Sequence, residues 1–175
     1  MPVVEHAEIV HASQKSVFLL SQSYHLRSCW DPFVKFYTFS SENILVEPGL
    51  RVWVHGRNGF SLEAEYTAVQ YPNVVVIKMT QGPWFFRSFT GTWQFTAVDE
   101  STTNVLFRYS FQTKWKWLSP LLDRIIARMF RKDVQARVRG FRKAVEETDI
   151  LDRVCHDWEE VRQGVDCSAF PLSQT

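Results

Sequence analysis

Cysteine is scarce and poorly arranged for cross-linking. Cys29, Cys155 and Cys167 form an odd, widely spread set, which fits free thiols in a reducing cytoplasm better than a disulfide framework. No CxxC or HExxH occurs, so neither a zinc site nor a metalloprotease is expected. The phosphate-cradling patterns GxGxxG and GxxxxGK are also missing, as is the GxSxG hydrolase elbow. No metal or cofactor is therefore predicted. No apolar run approaches the roughly 18 residues of a spanning helix, and the start, Met1 to Val10, lacks the basic and apolar regions of a signal peptide. The expected location is the cytoplasm. Net charge is also absent. Lys+Arg 20 against Asp+Glu 19 leaves +1, so no DNA partner is expected.

Large rings are abundant. Aromatic residues make up 15% of the chain, with Phe 14, Trp 7 and Tyr 5. A core does not need so many, so some are expected to line a cavity or a contact surface. The length of 175 residues suits one domain. Such a domain buries about 70% of the surface of its unfolded chain and needs no staples.

Along the chain, Val3 to His11 alternates loosely as a strand. Ser13 can cap a short helix from Gln14 to about Ser21, and a second spans about His25 to Trp30 and ends before Pro32. Strands are predicted at Leu50–His55, Phe60–Val69, Val74–Thr80, Phe86–Val98 and Asn104–Thr113, separated by short turns. Such strands make an antiparallel meander with one apolar face that must be covered. The cover is a long helix from about Ser119 to Glu147, with Pro120 in its first turn. Leu122, Ile126, Met129, Phe130, Val134, Val138, Phe141 and Val145 follow three-and-four spacing along it. Another helix is expected at Ile150–Gln163, ahead of a loose tail.

Four local features carry a resemblance. They are Ala12-Ser13 through Val17-Phe18, then Trp30-Asp31-Pro32-Phe33, then Gly91-Thr92-Trp93-Gln94-Phe95, and Phe141 to Glu146 closing the long helix. With the element order, they make residues 3 to 147 resemble the START-like (SRPBCC) superfamily, most closely its polyketide cyclase/dehydrase and lipid-transport branch. The resemblance implies an α+β helix-grip fold, in which a curved antiparallel sheet wraps a long C-terminal helix and leaves a deep hydrophobic cavity between them. The chain is then expected to divide into this ligand-binding domain, 1–148, and an acidic extension, 149–175, which has no counterpart in the resemblance.

On the faces as alternation assigns them, the inner wall holds Leu62, Ala64, Tyr66, Val75, Ile77, Met79, Phe89, Trp93, Phe95, Phe107, Tyr109 and Phe111, with Ala68 continuing the Tyr66 face. Each ring serves either core packing or cavity lining. Tyr66 and Tyr109 are the informative members, because a buried phenol needs a partner, be it a ligand oxygen, a backbone carbonyl or water. The helix adds Met129 to the lining. It also carries Asp133 and Arg137, four apart and able to pair, with Gly140 near the same side leaving room. Arg137 would hold a ligand carbonyl or carboxylate, unless the drift of the apolar stripe carries the pair to a solvated flank. His55 is expected outside, opposite Val52 and Val54. No nucleophile–base–orienter set can be assembled, so Tyr66, Tyr109 and Arg137 are the catalytic candidates.

Charge is segregated along the chain. Lys114 to Lys143 holds ten Lys/Arg and two Asp/Glu, a balance of +8, while Glu146 to Asp166 holds eight acidic and two basic residues, −6. The acidic tail is expected to fold back on the basic helix and to matter little for stability. The alternative is a free basic face for an anionic membrane or RNA, with Lys114-Trp115-Lys116-Trp117 as an interfacial element. Trp84-Phe85-Phe86 would be a cavity gate or a further interfacial tip. Three functions follow. The first is binding of a small hydrophobic or polyketide-like ligand, with cyclase/dehydratase chemistry as its enzymatic form. The second is non-catalytic carriage of a lipid or quinone, and the third is an interaction module using the basic helix.

Overall fold

The computed structural model describes residues 1–40, 46–57, 59–114 and 119–154. Seven strands, β1 Val3–Val10, β2 Val34–Phe39, β3 Arg51–Gly56, β4 Ser61–Gln70, β5 Val74–Gln81, β6 Phe86–Asp99 and β7 Thr102–Thr113, form one antiparallel sheet in the order β1-β7-β6-β5-β4-β3-β2. Helices α1 (Gln14–Gln22) and α2 (Tyr24–Trp30) connect the two edge strands, and α3 spans Ser119–Glu147. The Ser13 side chain accepts from Ser16 N at 3.3 Å, so the cap of α1 is the expected one. The α+β helix-grip class follows: a meander with one apolar face, gripped around a long helix. No helix among the described residues is long and apolar enough to cross a membrane.

Three local outcomes differ from the sequence expectations. Strand β2 is a seventh strand with no clean alternation: it lies at the sheet edge, carries a bulge between Val34 and Phe36, and leaves Phe36 48% exposed. A bulge between Tyr66 and Ala68 in β4 shifts the inward face, so Val69 rather than Ala68 packs on the core, opposite Val75. Such extra residues bend a strand and increase its twist, which helps the sheet to curve. Third, the core continues past the boundary drawn at Thr148. Residues 150–154 are helical, with Ile150 and Val154 buried in the main core and Leu151 packed against it. The rest of the extension, and Trp115 to Trp117, lie outside the described residues.

Helix α3 lies across β1 and β7 and against α2. Val134, Val138, Phe141 and Val145 face inward, as the stripe requires. Gly140 is where α3 meets the end of α2, since a Cβ there would stand 2.6 Å from the Trp30 carbonyl oxygen. The room it leaves is for backbone rather than for ligand. Among the described residues, the basic face is partly neutralised by β1 and by the first residues of the acidic segment. Glu8 receives Arg142 at 3.1 Å and Arg139 at 3.4 Å, and Arg142 also pairs with Glu146 at 2.9 Å. Histidines join the same seam, His6 to Glu8 at 2.9 Å and His11 to Glu146 at 2.7 Å. Neither contact was expected from sequence: His6 and Glu8 are two apart on one strand face, and the His11 contact is purely tertiary.

Candidate functional site

Burial divides the expected inner wall into two groups. Trp93, Phe95, Phe107 and Phe111 are almost wholly buried. Trp93 packs 4.4 Å from Phe107 and 5.5 Å from Phe141, and Phe95 lies 5.6 Å from Phe18, centroid to centroid. These rings are core. Leu62, Ile77, Met79 and Tyr109 face the same way yet stay only half-buried, joined by Tyr37 from β2 and by Ile126 and Phe130 from α3. Their residual exposure leaves this inward face incompletely covered, a candidate recess that reaches from β2 across β4 and β5 to Tyr109 on β7. Phe89 and Phe111 close one end through contacts with Phe130 at 5.5 and 5.3 Å. Gly91 keeps the floor low, since Ile77 and Tyr109 on the adjacent strands lean over it and a Cβ would stand 3.2 and 3.6 Å from them. Met129 does not belong to this set. It is 59% exposed on the outer side of α3, where the stripe drifts away from the sheet.

The polar end of the recess is built by α2 and α3. Arg27 lies one turn before Asp31, the C-cap of α2, and its Nε donates to Asp31 Oδ2 at 3.4 Å. Asp31 Oδ1 accepts from Phe33 N at 3.1 Å, which fixes the carboxylate. From α3, Arg137 Nε comes within 3.1 Å of the same Oδ2. The side chains of the three charged residues are 7%, 0% and 9% exposed for Arg27, Asp31 and Arg137. Arg137 is thus inside, not on a solvated flank, and it turns to Asp31 rather than to Asp133. Its Nη1 donates to the Tyr109 hydroxyl, and its guanidinium lies 4.9 Å from the Phe107 ring centroid. The Arg27 guanidinium lies 5.4 Å from the rings of both Tyr24 and Trp30.

Phenols line this polar end. The Tyr24 and Tyr66 hydroxyls are hydrogen-bonded to each other, and Tyr66 donates on to Gln22 Oε1 at 3.0 Å. Burial pushes the pKa values of Tyr24, Tyr37, Tyr66 and Tyr109 above the ordinary phenol value. They stay neutral and can donate. Burial works against the charge on both arginines, but neighbouring groups, Asp31 among them, outweigh it and hold their pKa values up. Asp133 is half-buried, and burial raises its pKa despite the opposing pull of Arg137. Of the residues expected from sequence, Tyr109 and Arg137 are bonded to each other, and Tyr66 joins the same cluster through Tyr24 and Arg27. Tyr24, Arg27, Asp31 and Tyr37 complete it and were not anticipated, although Arg27 and Asp31 carry the i,i+4 spacing of an ion pair. His55 is outside as expected, bonded to Ser61 and stacked 4.2 Å from Phe36.

Residues 1–146 match the model of the polyketide cyclase / dehydrase and lipid transport family. The chain belongs to that family. Its fold is shared with a START superfamily protein from Mycobacterium smegmatis at 11% identity, with 83% of this chain and 97% of that one covered and a TM-score of 0.68. A norcoclaurine synthase mutant from Thalictrum flavum, in complex with a transition-state analogue, aligns with a TM-score of 0.64 at 13% identity over 83% and 94%. An aromatase/cyclase from Streptomyces sp. R1128 aligns with 0.61 at 15% identity over 83% and 96%. No curated protein matches. Family and fold together make this a hydrophobic-ligand-binding scaffold, and at such identities the neighbours speak to fold alone.

Proposed function

We propose that the protein binds a small hydrophobic or aromatic, polyketide-like molecule in the candidate recess, with its oxygenated end against the Arg27–Asp31–Arg137 cluster. The observation that carries this reading is the half-buried state of Leu62, Ile77 and Met79 on the inward face, beside the neutral phenol of Tyr109. A largely apolar pocket with a few converging polar groups is the usual form of a small-molecule site. In a cyclase-type reaction, Arg137 and the Tyr109 hydroxyl would stabilise an enolate oxygen by preorganised donation. Carriage of a lipid or quinone without turnover is the second reading. It is favoured by the state of Asp31, a carboxylate held between two guanidinium groups and so poorly placed to take a substrate proton. Native mass spectrometry of the protein purified from its source tests the binding. A retained hydrophobic molecule, displaced when Ile77→Trp fills the recess, is the expected result. Absence of any retained or titratable hydrophobic ligand refutes it. Turnover of a released polyketide-like ligand would decide for the enzyme, and its unchanged release for the carrier.

A further inference from the structure

Resting on that reading, we propose that the ligand carries a single anionic oxygen group, a carboxylate, and that the Arg27–Arg137 pair with the Tyr37 hydroxyl receives it. The charge balance argues for an anion first. Two guanidinium groups share one carboxylate in a region where all three side chains are at most 9% exposed. These three leave a positive surplus, and burial pushes the half-buried Asp133 nearby towards its neutral form. An uncompensated buried charge is costly, and a ligand anion would offset it.

The hydrogen-bond balance points the same way. Buried side-chain atoms without a hydrogen-bond partner among the described residues are Tyr37 Oη, Arg137 Nε, Trp30 Nε1 and Trp93 Nε1. All four can donate, and three can only donate. Arg137 Nε is near Asp31 but not aimed at it, so the contact is ionic and leaves the N–H free. These groups are neighbours: the Trp30 and Trp93 rings lie 5.9 Å apart, Arg27 is over Trp30, and Trp93 packs on Phe107 beneath Arg137. Buried donors normally find acceptors. A region with spare donors and spare positive charge is suited to a carboxylate, which offers up to four acceptor sites. Tyr37 packs 4.7 Å from the Tyr24 ring, over which the Arg27 guanidinium lies at 5.4 Å, so this residue of the half-buried set stands beside the charged end with its hydroxyl buried and unpartnered.

Two matched pairs of probes test this on the full chain by tryptophan fluorescence and calorimetry: dodecanoate against methyl dodecanoate, and 2-naphthoate against 2-acetonaphthone. Each acid is expected to bind roughly tenfold or more tightly than its neutral partner. Which pair binds better separates acyl-chain from aromatic acids. Tyr37→Phe is expected to weaken the better acid about three- to tenfold and its neutral partner by less, because an ester or ketone carbonyl is a weaker acceptor than a carboxylate, and to keep or raise the melting temperature, because the hydroxyl removed has no partner in the free protein. Equal binding of acids and neutral probes overturns the carboxylate assignment and leaves the hydrophobic-ligand reading standing. An unaltered acid affinity in Tyr37→Phe overturns the role of Tyr37. Failure of all four probes to bind overturns the assignment together with the ligand-binding reading beneath it.

Discussion

Asp31→Asn keeps the shape of the residue and its acceptor for Phe33 N, but removes the charge that two guanidinium groups share. At 3.1 and 3.4 Å, and with an effective dielectric of about 20, each contact carries about 5 kcal/mol of Coulomb attraction. The burial of three charges offsets most of this, so the net value of the cluster is small. Breaking it is a different matter, because both arginines stay buried while their counter-charge is gone, and such losses run to about 3–5 kcal/mol. For a chain of this size that is about 6–20 °C in melting temperature. Urea unfolding followed by tryptophan fluorescence and by circular dichroism gives the number, with an unchanged slope as the check on two-state behaviour. Arg137→Met in the Asp31→Asn background removes one of the stranded charges. The double variant should therefore be more stable than the sum of the single losses by about 1–3 kcal/mol. A cost below about 1 kcal/mol for Asp31→Asn, or strict additivity, would refute the buried cluster as the lock between α2 and α3.

Three further outcomes are expected. Gly140→Ala gains up to about 1 kcal/mol of helix propensity but forces a methyl to within 2.6 Å of the Trp30 carbonyl. The net should be a loss of about 1–3 kcal/mol, and a rise in melting temperature would show that the helices separate freely. The pKa of Glu8 is lowered from the ordinary 4.5, chiefly by its hydrogen bond to His6, with Arg142 and Arg139 adding to it against desolvation. A lowered carboxylate stabilises the fold above its unfolded value and loses that contribution as pH falls through the folded one. Glu8→Gln should therefore cost up to about 1 kcal/mol near neutrality, and the gap in melting temperature should close on acidification below about pH 4. A gap that persists in acid would assign the loss to packing. A chain ending at Thr148 gives up the buried Ile150 and Val154. At about 1.5–3 kcal/mol each as an upper range, the expected loss is several kcal/mol. A melting temperature within a few degrees of the full chain would mean that this packing contributes little.

Periodicity was enough to read most of this architecture. Alternation in Phe86–Val98 and Asn104–Thr113 gave two strands whose rings face inward, and three-and-four spacing gave α3 to within a residue. Both patterns are set locally, by where Cβ points along a strand or a helix. The same logic fails where a bulge resets the count, as at Thr67, or where an edge strand such as β2 has no buried partner face to impose alternation. It fails again at Met129, because only the later part of the apolar stripe, from Val134 to Val145, stays buried against the sheet.

The site divides along the same line. Tyr66, Tyr109 and Arg137 were legible as polar residues on apolar faces, and burial alone makes such residues informative. That Arg137 meets Asp31 rather than Asp133 was not, since the two lie on different helices and only the close approach at Gly140 brings them together. Sequence by itself determined six of the seven strands, the three helices, most of their inward faces and the family. The tertiary structure decided which inward rings are core and which stay accessible, and it gathered two arginines around one carboxylate, because curvature and helix contact are sums over distant residues that no local pattern records.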